Sequence, residues 1–114
     1  MEYSEEIAGS FEDQRLFERI PVTLPVKYTD LDSCLSGEAV LSDISAYGLG
    51  MVTGVDLQLS TRLEIWLKVP DQGQPVYTRG KVVWSSIAGM NSHRMGVSLE
   101  RTEFMSLSRL MRIH

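Results

Sequence analysis

From Ile20 onward apolar and polar residues alternate with a period of two: Val22, Leu24, Val26 and Tyr28 fall on one face, Thr23 and Lys27 on the other. This predicts a β-strand over 22–28. Pro21 and Pro25 lack the amide donor, which places them at a strand start and a sheet edge and opposes a helix. Further strands are predicted over 35–44, 47–52, 62–69, 76–87 and 94–100. In the 62–69 segment Leu63, Ile65, Leu67 and Val69 share one face, with Trp66 opposite; in 76–87 Trp84 shares its parity with Val82, which assigns it to the core. The run 70–73, Pro-Asp-Gln-Gly, has the composition of a tight turn. Five or six short strands at near-regular spacing are too short for two large sheets and close most naturally into a small barrel.

The end of the chain changes period. Thr102 can cap a helix over about 102–112, in which Phe104, Leu107, Leu110 and Met111 recur at spacings of three and four. Arg109 and Arg112 suit its C-terminal dipole, and its apolar stripe is expected to pack on the barrel.

At 114 residues, 43% apolar and 23% charged, the chain supports one small domain with one core. The net charge of -4 argues against a long nucleic-acid partner. Its distribution matters more than its sum. Glu2, Glu5, Glu6, Glu12 and Asp13 stand in a segment without a basic residue, and the remaining 101 residues carry 11 basic and 10 acidic groups. Residues 1–13 are therefore expected to form a flexible acidic arm, and 14–114 a near-neutral domain.

The single Cys34, taken as a small buried or edge residue, has no partner for a disulfide, and no Cys or His spacing fits a metal site. Acids near the start and the lack of a long apolar run argue for a cytoplasmic protein without membrane insertion. His93 and His114 have no carboxylate or nucleophile motif near them in sequence, and Gly48, Gly50 and Gly54 do not fit a dinucleotide fingerprint. With no converging base, nucleophile or metal set, the expected activity is binding rather than catalysis, with no cofactor.

Two short motifs carry chemistry. Arg15 and Arg19 stand four residues apart where the acidic arm meets the first strand. A guanidinium is permanently charged and presents a planar fork of donors, so two of them can clasp a phosphate or the O6/N7 edge of guanine. Asp43, Ser45 and Gly48 follow between the second and third strands. An ionised carboxylate accepts only, which matches the N1–H and N2–H donors of guanine; side chains two apart on a strand end face the same way; glycine permits a positive backbone angle and a close approach. Taken alone, the arginines also fit a solvated pair facing the acidic arm, and the second motif fits an Asx or Ser turn.

In this order the segments match R-x-x-x-R followed by D-x-S-x-x-G, and the chain resembles the PilZ domain family. Arg19-Ile20-Pro21 runs into the first strand, Gly80-Lys81-Val82-Val83-Trp84 is similar to the family's G-x-V-x-W strand, and Arg94-Met95-Gly96-Val97-Ser98-Leu99 to its closing strand. The resemblance spans about residues 15–112 and implies a six-stranded antiparallel β-barrel with a C-terminal helix. It also implies a binder of the bacterial second messenger cyclic di-GMP, with Arg15, Arg19, Asp43, Ser45 and Gly48 as ligand-binding residues and Gln14 and Gly96 as secondary ones. Because Gln14, just before the first arginine, adds no third cation, one messenger per site is expected. A stand-alone domain would report to a separate protein controlling motility, biofilm or exopolysaccharide, as a monomer or weak homodimer. The alternative implied is a PilZ-like interaction module in pilus or flagellar function that does not bind the nucleotide.

Overall fold

The computed structural model describes residues 19–71, 73–101 and 109–110. Six strands form a closed antiparallel barrel: β1 (Ile20–Asp30), β2 (Ser36–Ile44), β3 (Gly48–Thr53), β4 (Arg62–Leu67), β5 (Val76–Gly89) and β6 (Ser92–Arg101). Around the barrel the order is β1-β2-β3-β6-β5-β4, and β4 closes back onto β1. All six strands differ from the predicted spans by one or two residues at one or both ends, because pairing rather than hydrophobic pattern sets where a ladder stops.

β1 shows why the alternation is so regular. Ile20, Val22, Leu24, Val26 and Tyr28 all point into the barrel, where they meet Leu63, Ile65 and Leu67 of β4 and the inward residues of the other strands. Among the described residues Pro21 and Pro25 lie in the half of β1 whose ladder is to β2, since the β4 ladder begins at Val26 and reaches Pro25 only through the Lys68 amide, which donates to the Pro25 carbonyl at 3.1 Å. Among the described residues the missing amides therefore cost no ladder bond on the side away from β2.

Among the described residues the ladders shift register at five places, and two of these shifts place residues of interest. In β2 the inward positions are Ala39, Leu41 and Ile44, because the ladder to β3 slips between Leu41 and Asp43. Without that extra residue Asp43 would share the parity of Leu41 and enter the core; with it, the carboxylate faces outward. In β5 a second slip falls between Val82 and Trp84. Val82 is buried, but Trp84 is 42% exposed, so the sequence-based placement of Trp84 in the core is corrected: one inserted residue turned the indole to the outside. Trp66 is on the outer face as expected, its ring 5.5 Å from that of Tyr77.

Cys34 is also corrected: it is exposed, in the turn between β1 and β2, with φ of 64°. Of the helix expected over 102–112, only Arg109 and Leu110 fall within the described residues; the rest lies outside them, as do residues 1–18 and so the acidic arm. Leu110 is fully buried in the core, and Arg109 donates from Nε and Nη2 to the two carboxylate oxygens of Asp71 at 2.8 and 2.7 Å. This fastens the C-terminal segment to the β4–β5 turn. Among the described residues no helix is long and apolar enough to cross a membrane.

Candidate functional site

Arg19 immediately precedes β1, and Asp43 is the next-to-last residue of β2. Because β1 and β2 are antiparallel, with Pro21 opposite Asp43, the two side chains meet at one end of the barrel, and the Arg19 Nη1 donates to Asp43 Oδ1. The Arg19 side chain is 52% exposed and that of Asp43 33%, so the pair is open to solvent and to a ligand. Among the described residues one guanidinium nitrogen is used, and the other donors can face an anion.

Gly48 opens β3 beside them. A Cβ there would stand 3.8 Å from Arg19 Nη2 and 2.8 Å from the backbone carbonyl oxygen of Val97. The close approach expected of Gly48 is present, whereas a positive φ is not, since no described glycine has one. The requirement is steric: β6 passes too close for a side chain.

Ser45 departs from the expectation that it shares a face with Asp43. The chain leaves β2 at Ile44, and Ser45 is buried in the turn, its amide donating to the Gly48 carbonyl at 2.8 Å. Its hydroxyl donates to the same carbonyl at 3.4 Å and accepts from the Tyr47 amide at 3.3 Å. Tyr47 in turn offers its carbonyl to the Leu99 amide at 2.9 Å. The serine thus shapes the loop that carries Gly48. Arg15 and Gln14 lie outside the described residues.

Sequence reasoning missed two participants. Asp43 is paired in register with Gly50 of β3, Gly50 with Gly96 of β6, and Gly96 with Trp84 of β5. These four positions form one row across the outer face of the barrel. A Cβ at Gly50 would lie 3.0 Å from Asp43 Oδ2, and one at Gly96 would lie 2.5 Å from Trp84 Cε2. Gly50 therefore makes room for the Asp43 carboxylate and Gly96 for the indole of Trp84, which puts the Arg19–Asp43 pair at one side of the row and the indole at the other. Gly96, a secondary candidate, gains a specific reason: it seats the tryptophan. The signal in the sequence was present but needs the bulges, which place Asp43 and Trp84 on the same surface.

The arrangement can grip an anion through the guanidinium, accept hydrogen bonds at the carboxylate, and stack a planar ring on the indole. Among the described residues no cluster of three or more His, Cys, Asp or Glu could hold a metal ion.

The PilZ domain family model matches residues 13–113. A comparison with curated proteins finds no significant match. Among solved structures, the inhibitor of motility MotI/DgrA of Bacillus subtilis aligns with TM-score 0.66 and 16% identity over 88% of this chain. This chain spans only 48% of that protein's length. The PilZ domain of CeSA from a cellulose-synthesising bacterium aligns with TM-score 0.60 and 19% identity, over 84% of this chain and 93% of the other. The PilZ domain of Escherichia coli YcgR with cyclic di-GMP aligns with TM-score 0.64 and 20% identity over 88% of each chain.

Proposed function

We propose that this chain, which belongs to the PilZ domain family, is a receptor for cyclic di-GMP that relays the signal to a separate protein acting in motility or exopolysaccharide production. The observation that carries this reading is the Arg19–Asp43 pair, exposed beside Gly48 at the edge of the barrel. One of the similar folds holds this nucleotide, and two others come from a motility inhibitor and a cellulose-synthesising bacterium.

In the free protein Arg19 and Asp43 satisfy each other. On binding, guanine N1–H and N2–H replace the arginine at the Asp43 carboxylate, and a phosphate or a guanine O6/N7 edge takes the freed guanidinium. One ion pair is exchanged for two charge-assisted contacts. Arg15, four residues before Arg19, completes the clasp, Gln14 adds no further cation, and one messenger occupies the site. Ser45 and Gly48 hold the loop against β6 so that Asp43 keeps its position. The Trp84 indole, seated on Gly96, offers its outer face to a purine.

Each charge-assisted hydrogen bond contributes on the order of 1.5 to 3 kcal/mol, and ordering a residue costs roughly 1 to 2 kcal/mol. If about five residues around Arg15 become fixed, roughly 5 to 10 kcal/mol is offset, so a net of about -8 kcal/mol, micromolar affinity, is expected. Fixing that segment is also the output: it presents a new surface next to β1. Binding carries no covalent chemistry.

Calorimetric titration with cyclic di-GMP tests the reading. Saturable heat at a ratio of one is expected for the wild type, with strong weakening in Arg19→Ala and in Arg15→Ala. No heat with a folded wild type would refute nucleotide binding and leave an interaction module.

A further inference from the structure

The opposite end of the same three strands carries a different surface. β1 ends at Asp30, β2 begins at Ser36 and β3 ends at Thr53, so the β1–β2 turn and the β3–β4 loop lie at the far end from Arg19 and Asp43. With 11 residues in β1 the separation is about 30 Å. Between turn and loop is a cleft of about 670 Å³.

Its walls combine two chemistries. Leu35, Val55 and Leu59 line it while remaining 70%, 54% and 62% exposed, which is unusual for large aliphatic residues on three separate positions of one cleft. Asp30, Asp32 and Asp56 also line it, and among the described residues its lining contains no lysine, arginine or histidine. Asp32 is answered by Arg62 from outside the lining, through Nη2 at 2.8 Å and Nε at 3.2 Å. Among the described residues no lysine or arginine lies within ion-pair distance of Asp30 or Asp56; the imidazole of His93 has its Nδ1 3.9 Å from Asp56 Oδ1. The fold thus brings a carboxylate to His93 that sequence spacing did not reveal.

The walls are braced. Asp30 Oδ1 accepts from the amides of Asp32 and Ser33 at 2.8 and 3.1 Å, Leu31 donates to the Arg62 carbonyl, and Ser60 donates to the Val82 carbonyl. Two non-glycine residues are held at positive φ here, Cys34 at 64° in the turn and Ser60 at 70° in the lining itself. Such strain persists only where the surroundings over-determine it, and it collects at binding sites.

We propose that this cleft is a docking site for a protein partner, taking a segment in which lysine or arginine residues flank apolar side chains. The carboxylates repel a phosphate or nucleotide, and those of Asp30 and Asp56, which have no lysine or arginine partner among the described residues, select a cationic segment by charge complementarity. Preformed walls reduce the ordering cost of binding. The site does not depend on nucleotide binding at the other end, and the two are separable by experiment.

The test is an NMR titration of the full chain, without nucleotide, with the acetylated peptide KKLKKLKK, using KKSKKSKK and EELEELEE as controls. Saturable shifts confined to residues 31–36 and 54–61 are expected, with at least about tenfold weaker binding of each control. Asp56→Lys and Leu59→Glu, both at exposed side chains, should each weaken the peptide about tenfold while leaving the unfolding midpoint unchanged. Equal binding of KKSKKSKK, shifts mapping elsewhere, or no shifts at millimolar peptide would overturn the proposal. So would concentration-dependent self-association through residues 31–36 and 54–61, which would make a second copy the occupant.

Discussion

The indole of Trp84 lies on the α-carbon of Gly96: a methyl group there would come within 2.5 Å of Cε2. The two residues oppose each other across β5 and β6, and the ring is held at the surface rather than in the core. Gly96→Ala should therefore move the indole and not the strands, because the overlapping atoms belong to a side chain that is 42% exposed. Expected is a stability change under about 1 kcal/mol by urea unfolding, with cyclic di-GMP bound about tenfold more weakly by calorimetry. Unchanged affinity would remove Trp84 from the site.

Gly48→Ala should behave in the opposite way. Its added carbon would stand 2.8 Å from the Val97 carbonyl, a backbone atom in the adjoining strand. Relief requires β3 and β6 to part, and the expected cost is about 1 to 3 kcal/mol in chemical unfolding. A variant as stable as the wild type would contradict the close approach.

The barrel was legible in the sequence because β1 and β4 keep strict alternation, from Ile20 to Tyr28 and from Leu63 to Leu67. The motif residues were legible one at a time. Their geometry was not: Asp43 and Trp84 both sit just beyond a bulge, and a one-residue slip reverses the face on which every later side chain emerges. Ser45 shows a second limit. Counting two residues from Asp43 assumes a continuing strand, whereas β2 ends at Ile44 and the hydroxyl turns to the loop backbone. The acids of the far cleft, Asp30 and Asp56, are 26 positions apart in sequence and meet only through the β1–β2–β3 meander.

The clamp between Arg109 and Asp71 makes a pH prediction. The paired hydrogen bonds from Arg109, and then the Gly73 amide, hold the Asp71 carboxyl well below its ordinary value of 3.8. A carboxylate with a depressed folded value stabilises fully above the ordinary range, and that contribution is lost as pH falls through it. Asp71→Asn should accordingly be less stable than the wild type near neutrality, with the gap closing towards about pH 2. Thermal unfolding across this range checks it, and a gap independent of pH would contradict the assignment.

Residues 1–13 carry five acids and no base, next to Arg15 and Arg19. If they compete with the ligand for these arginines, deleting them should tighten cyclic di-GMP binding at low salt, and the gain should vanish at high ionic strength as the Debye length shrinks. Calorimetry at two salt concentrations reads this out. Equal affinity of both chains at low salt would exclude the competition.

The central claim, that the outer face between Asp43 and Trp84 receives the nucleotide, is tested most directly by amide and indole NMR shifts during a cyclic di-GMP titration. The account predicts that the Trp84 indole N–H and the amides of Gly48, Gly50 and Gly96 move together to saturation, while the Trp66 indole, on the β4 side of the barrel, stays in place. Movement at Trp66 with none at Trp84, or no movement at saturating nucleotide, would contradict it.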